Sequence, residues 1–178
     1  MALLFFVMSF CFAVAVIAEL CFGQSGVLMP LTALTGFYFT VTQRWDRVVI
    51  PFLVACTLLD LSYGRLAPLS TMVVPFILIA GSYWRDHGNT RSFLTQVLPG
   101  GLIGVMAFAT ASLYAACYGM NSGRILDFLP FRVAVQSFVA GGCALPVLVA
   151  ILDTVMRAFG FRRYTTYKSF VERGGVDE

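Results

Sequence analysis

Residues with the chemistry for catalysis or metal binding are sparse in this sequence. It has one histidine, His87, and five cysteines in 178 residues. The cysteines are scattered without a CxxC pair, no Ser/His or Cys/His pair falls within an apolar run, and there is no phosphate-binding loop. We therefore expect no catalytic site, no metal and no cofactor, and an enzyme is the weakest of the functional interpretations.

The most informative polar residues lie in the stretch 58–70, LLDLSYGRLAPLS, between two apolar runs. Asp60 ends the first of these runs, and a carboxylate costs roughly 2.5–3.5 kcal/mol at a bilayer centre and less near an interface. Asp60 therefore needs a partner or a position near the surface. Gly64 and Pro68 predict a turn, and Arg65 offers a counter-charge within that turn.

The composition of the whole chain is that of an integral membrane protein. Hydrophobic residues make up 59% of the sequence, charged residues only 12%, and the mean hydropathy is +0.85. A soluble domain could not hide so much apolar surface inside one core. The net charge of +3 does not indicate nucleic-acid binding, because the basic residues fall between and after apolar runs, where membrane topology explains them.

Six apolar runs are predicted to be membrane-spanning helices, so the fold class is all-α. The first run is about as long as ~30 Å of hydrocarbon requires, and the second is short for a span. No Lys or Arg precedes the first run, which predicts an uncleaved helix rather than a signal peptide. The six helices form a transmembrane domain over residues 1–156, and residues 157–178 form a short basic cytoplasmic tail. The predicted runs are 2–20, 27–41, 48–61, 66–84, 97–118 and 131–156.

Basic residues are distributed unevenly between the two sides that six spans create. Nine of the twelve Lys and Arg residues fall on the side of the termini, and three fall on the other side. By the positive-inside rule both termini are then cytoplasmic, whereas five spans would lose part of this asymmetry. The nine are Arg44, Arg47, Arg85, Arg91, Arg157, Arg162, Arg163, Lys168 and Arg173; the three are Arg65, Arg124 and Arg132.

This topology brings several ionisable residues to the ends of their helices. Glu19, Asp60 and Arg65 lie at outer ends, where they either form one polar cluster that binds a partner or ligand, or reach water separately as interfacial side chains. Asp153 lies near the inner end of the sixth span, one turn from Arg157. A local i,i+4 ion pair between these two is the simplest explanation for an acid at this position.

Small residues recur along one face of the fifth span, beginning at Gly100 and Gly104, and along one face of the sixth. Such a seam lets another backbone approach closely. We predict that spans five and six pack on each other here, with a partner protein on one seam as the alternative. The seam residues are Gly100, Gly104, Ala107, Ala111 and Ala115 in span five, and Ala134, Ser137, Gly141 and Ala144 in span six.

Cys21 and Cys117 both fall near the outer face, so a disulfide is conceivable, but unpaired apolar cysteines are expected.

The helix pattern and one motif resemble the MreD family of rod shape-determining membrane proteins. The matching residues are Leu58-Leu59-Asp60-Leu61, Gly64 and Pro68-Leu69, an acid that closes the third helix followed by a glycine-containing turn and Pro-Leu. The resemblance implies six helices around a central cavity, similar to the substrate-binding subunit of energy-coupling-factor transporters. It also implies that Asp60, Gly64 and Arg65 organise an outer turn and take no part in chemistry.

The function implied by this resemblance is a non-enzymatic scaffold of the bacterial cell-elongation machinery, in the cytoplasmic (inner) membrane. Its partners would be the lipid bilayer, an MreC-like protein and, indirectly, MreB, RodA and a penicillin-binding protein. The single membrane helix of the MreC-like protein would dock in the cavity or on an outer face, with small-residue seams as the means of docking.

A vitamin-binding subunit of an energy-coupling-factor transporter is the alternative with the same architecture. It would need polar and aromatic groups converging on the cavity from the outer loops. The outer loops of this chain are short and carry few polar groups, which disfavours a selective solute site. An uncharacterised intramembrane enzyme is a third interpretation, and it lacks a nucleophile and base.

Overall fold

Six helices and no strands make up the described part of the chain. The computed structural model describes residues 2–24, 29–65, 68–87, 93–117, 129–161 and 163–164. Within these ranges the all-α prediction is confirmed. The helices are α1 (Ala2–Gln24), α2 (Leu31–Thr42), α3 (Trp45–Ser62), α4 (Leu69–His87), α5 (Phe93–Cys117) and α6 (Leu129–Ala158).

Three of the described helices contain segments long and apolar enough to cross a membrane: Ala2–Gln24, Thr95–Ser112 and Phe131–Ala158. The protein is therefore a membrane protein by helix length and composition. The second predicted run is an apolar helix of only 12 residues. At about 1.5 Å per residue it extends roughly 18 Å, well short of ~30 Å of hydrocarbon.

The short helix α2 forms the centre of the bundle. Ten of its 12 residues are buried, and it contacts each of the other five helices. A helix that is apolar on every side is buried in protein or in lipid, and α2, too short to span the hydrocarbon, is enclosed by protein. The Phe12 ring lies 5.6 Å from that of Phe39 and 5.4 Å from that of Phe52, so one aromatic cluster joins α1, α2 and α3. Gly36 makes room for it, because a Cβ there would overlap the Phe52 ring.

Helices α5 and α6 form the closest pair, through the predicted glycine seam. A Cβ on Gly100 would collide with the backbone carbonyl of Gly141, and a Cβ on Gly104 would collide with that of Ser137. The two backbones can approach this closely only because these positions carry no side chain. The prediction that these two helices pack through small residues is confirmed at Gly100, Gly104, Ser137 and Gly141.

Candidate functional site: two helix starts capped by acids

Asp60, the residue singled out in the sequence, is buried with 4% exposure. Its carboxylate accepts backbone hydrogen bonds from Ser70 N, at 3.0 Å and 3.2 Å to the two oxygens, and from Thr71 N at 3.3 Å. Arg65 Nη1 donates to the same carboxylate at 3.3 Å. Asp60 is thus held by the first turn of α4 and by one guanidinium.

This arrangement follows from how α4 begins. Pro68 directly precedes the helix, and its carbonyl accepts the first helical hydrogen bond, from Met72 N at 3.1 Å. A proline side chain cannot cap the N–H groups that every helix start leaves unpaired. Asp60 supplies the missing acceptor from the end of α3, and its negative charge also suits the positive end of the α4 dipole.

The turn after α3 places Arg65 beside Asp60. Gly64 has φ +61°, and the hydrogen bonds from Gly64 N to Leu61 O and from Arg65 N to Asp60 O, both 3.0 Å, form a Schellman motif. The Arg65 guanidinium then contacts Ser70 Oγ at 3.2 Å and lies 4.7 Å from the centre of the Tyr63 ring. The ion pair and turn expected from the sequence are both present.

Glu19 caps α2 in the same way. Its Oε2 accepts a 2.7 Å hydrogen bond from Thr32 N, the second residue of α2. The N-cap residue is Pro30, which provides no side-chain cap. The signal for this pairing is a repeated sequence pattern, Glu-Leu followed by Pro-Leu-Thr at 19–32 and Asp-Leu followed by Pro-Leu-Ser at 60–70. Sequence reasoning missed this repeat.

The two capped helix starts are joined at one end of the bundle. Tyr63 Oη donates to the backbone carbonyl of Glu19 at 3.3 Å, and Gly23 leaves room for this ring because a Cβ there would overlap the hydroxyl. Glu19, Asp60 and Arg65 are therefore gathered into one cluster, which we call the capping cluster. They do not reach water as three separate interfacial side chains.

A small cavity of about 50 Å³ lies beside the capping cluster. α5 closes one side. The polar lining residues are Glu19, Thr32, Arg65, Ser70 and, on α5, Thr110. Thr32 Oγ1 is buried and has no hydrogen-bond partner within the described ranges. The space suits a few water molecules, whereas pockets for small organic ligands measure about 300–1,000 Å³.

The capping cluster has little capacity for chemistry. Both carboxylates accept backbone N–H groups, and the guanidinium is held by Asp60 and Ser70. In the part of the chain that the structure describes, no three His, Cys, Asp or Glu side chains are grouped as metal ligands. The geometry supports a structural role, in which the cluster holds the four helices α1, α2, α3 and α4 together at this end.

A second buried acid, Asp153 on α6, lies at the opposite end of the bundle. Its Oδ1 accepts hydrogen bonds from Tyr38 Oη at 2.6 Å and from Tyr164 N at 2.8 Å. The Tyr38 and Tyr164 rings stack at 5.9 Å, and burial raises the pKa of the Tyr164 hydroxyl. These contacts stabilise the buried Asp153 carboxylate. The sequence predicts instead a local ion pair with Arg157, which is exposed in the structure.

The remaining predicted residues are only partly described. Cys21 is exposed near the end of α1, and the side chain of Cys117, its suggested disulfide partner, lies outside the described residues. The predicted tail is described only as far as Tyr164. Its first two residues continue α6, and Tyr164 is fully buried. The basic residues outside the described ranges are Arg91, Arg124, Arg162, Lys168 and Arg173.

No known protein family, curated protein or solved structure matches this chain.

Proposed function

We propose that this protein is a non-enzymatic membrane scaffold of the MreD type that docks the single membrane helix of an MreC-like partner. In this proposal the chain crosses the bacterial inner membrane six times, in a fold similar to the energy-coupling-factor substrate-binding subunit, with both termini in the cytoplasm. Through the MreC-like partner it contributes to the elongation machinery that contains MreB, RodA and a penicillin-binding protein. The motif at 58–69 and the geometry of one apolar groove support this proposal.

The groove lies between α1 and α6, with α2 as its floor, and it is the observation that carries the proposal. Its volume is about 560 Å³. Its lining runs along α1 from Phe10 to Phe22 and along α6 from Cys143 to Val155. At about 1.5 Å per residue, each wall is roughly 18 Å long, which matches several turns of a helix.

The shape of this α1/α6 groove suits a helix better than it suits disordered lipid tails. Lipid tails are as apolar as the groove, so only close packing can favour a protein helix there. Ala15, Ala18 and Ala144 provide small residues in the lining, while Phe10 and Ile151 are 61% and 57% exposed. Small residues flanked by bulky ones allow the ridge of an incoming helix to pack closely.

A vitamin-binding function has no comparable support. The cavity beside the capping cluster holds about 50 Å³, several times less than small organic ligands require. The α1/α6 groove is large enough, but it is almost wholly apolar and lacks the polar groups that orient a vitamin.

The first test uses the native cysteine in the groove wall. Cys143 lines the groove and is exposed. We expect Cys143 to form a disulfide with cysteines introduced at only one or two neighbouring positions, three or four residues apart, on one face of the MreC-like helix. The matched control is Met72→Cys in a Cys143→Ser background. Met72 is 60% exposed on α4, which takes no part in the groove, and it should not cross-link.

The second test fills the groove. We expect Ala18→Trp to abolish co-purification of the MreC-like protein from mild detergent. Ile79→Trp, at a 70% exposed position on α4, should leave co-purification intact. Retention of the partner by Ala18→Trp, without cross-linking at Cys143, would contradict the proposed docking site. Recovery of ATPase subunits or a tightly held vitamin from the wild type would overturn the scaffold function itself.

A further inference from the structure

A second apolar furrow runs between α1 and α3, separate from the α1/α6 groove. It comprises a cleft of about 590 Å³ at the start of both helices and a narrower cleft of about 170 Å³ further along. Phe5, Ser9 and Ile50 line both clefts, so the two are continuous. The walls are otherwise almost entirely aliphatic and aromatic, and they extend along α3 as far as Leu58.

One end of this furrow carries an exposed arginine. Arg47 lines the wide cleft, and it makes no ion pair with any residue that the structure describes. Asp46 lines the wide cleft as well, but its Oδ1 is paired with Arg44, whose Nε lies 3.5 Å away. Trp45, between them, is 56% exposed, as expected for an aromatic residue at a membrane interface.

The start of α3 adds to the positive character of this end. Its N-cap residue is Arg44, which makes no side-chain cap hydrogen bond. The first N–H groups of α3 therefore have no side-chain acceptor from the N-cap. Asp46 in the first turn offsets part of the positive end of the helix dipole, and the remainder adds to the charge of Arg47. An anion at this position would interact with both.

We propose that the α1/α3 furrow binds one anionic phospholipid, with one of its two acyl chains between the two helices and its phosphate at Arg47. A long apolar slot that ends in an unpaired cation at the interface matches the two parts of such a lipid. A membrane helix or a second copy of this chain would have to bury Arg47 or supply an acid at that position. Basic pockets between membrane helices on the cytoplasmic side bind the head groups of anionic lipids.

The test compares lipid binding of the full-length protein by native mass spectrometry after titration with phosphatidylglycerol or phosphatidylcholine. We expect tighter binding of phosphatidylglycerol, and a loss of about fivefold in its affinity on Arg47→Gln, the effect of one interfacial arginine. The affinity for phosphatidylcholine should change little on Arg47→Gln. Ser9→Phe, which narrows the furrow without changing charge, should weaken the binding of phosphatidylglycerol as well.

Arg157→Gln is the matched control, because Arg157 is an exposed arginine near the end of α6 and does not line the furrow. An equal loss in Arg157→Gln and Arg47→Gln would show general attraction to charge and overturn the proposal. Equal binding of the two lipids by the wild type would also overturn it. So would displacement of phosphatidylglycerol by inorganic phosphate at equal concentration, or a stable dimer that blocks the furrow.

Discussion

Replacing Asp60 by alanine tests whether the capping cluster stabilises the fold. The substitution removes the acceptor of two N–H groups at the start of α4 and the counter-charge of Arg65. Loss of a helix cap costs about 1–2 kcal/mol. Breaking a fully buried pair costs about 3–5 kcal/mol, but the Arg65 side chain is 23% exposed and can regain water, so we add only about 1 kcal/mol.

The expected destabilisation is therefore about 2–3 kcal/mol, or roughly 4–12 °C in Tm for a chain of this size. Thermal unfolding in mild detergent, followed by circular dichroism, measures this shift. Asp60→Asn keeps one acceptor oxygen, so it should lose less than half as much stability as Asp60→Ala.

Asp46→Ala provides the matched control for Asp60→Ala. Asp46 also lies near a helix start and close to an arginine, but its side chain is 49% exposed. Removal of such an exposed acid should cost at most about 1 kcal/mol. Equal Tm shifts for Asp60→Ala and Asp46→Ala would refute the view that Asp60 acts as a buried cap.

Three further variants test other contacts by the same unfolding assay. Gly104→Leu should destabilise the protein by more than about 2 kcal/mol, because its side chain would collide with the backbone at Ser137; a shift below 1 °C would contradict this. Tyr38→Phe should cost about 1–3 kcal/mol, since it removes a donor from the buried Asp153 carboxylate, and an unchanged Tm would show that the hydrogen bond adds nothing. Gly64→Ala should cost only about 1–2 kcal/mol, from its positive φ alone, because space around it is open, and Gly64→Asn should cost less.

The sequence predicts the features that arise from neighbouring residues. The turn at Gly64 and the pairing of Asp60 with Arg65 involve residues at most five positions apart, so turn and charge rules suffice. The α5/α6 seam is also predictable, because glycine spacing identifies a helix face and Gly100 and Gly104 lie on that face. These predictions need no knowledge of how the remaining helices are arranged.

Contacts between distant helices could not be predicted in the same way. Tyr38 and Asp153 are 115 positions apart, and their hydrogen bond depends on α6 packing against α2. The sequence predicts a pair of Asp153 with Arg157 because, from sequence alone, only residues on the same helix can be placed next to each other. The central position of α2 was not predicted either. The short length of this apolar run indicates an enclosed helix, but it does not say which helices enclose it.

The repeated cap explains why the charged residues at the ends of α1 and α3 serve structure. A helix that starts with proline inside an apolar bundle has unpaired N–H groups and no capping side chain at Pro30 or Pro68. Each start is capped by an acid from the preceding helix, Glu19 or Asp60, so these carboxylates are already hydrogen-bonded within the fold. The two proposed binding surfaces, the α1/α6 groove and the Arg47 end of the α1/α3 furrow, accordingly lie away from these caps.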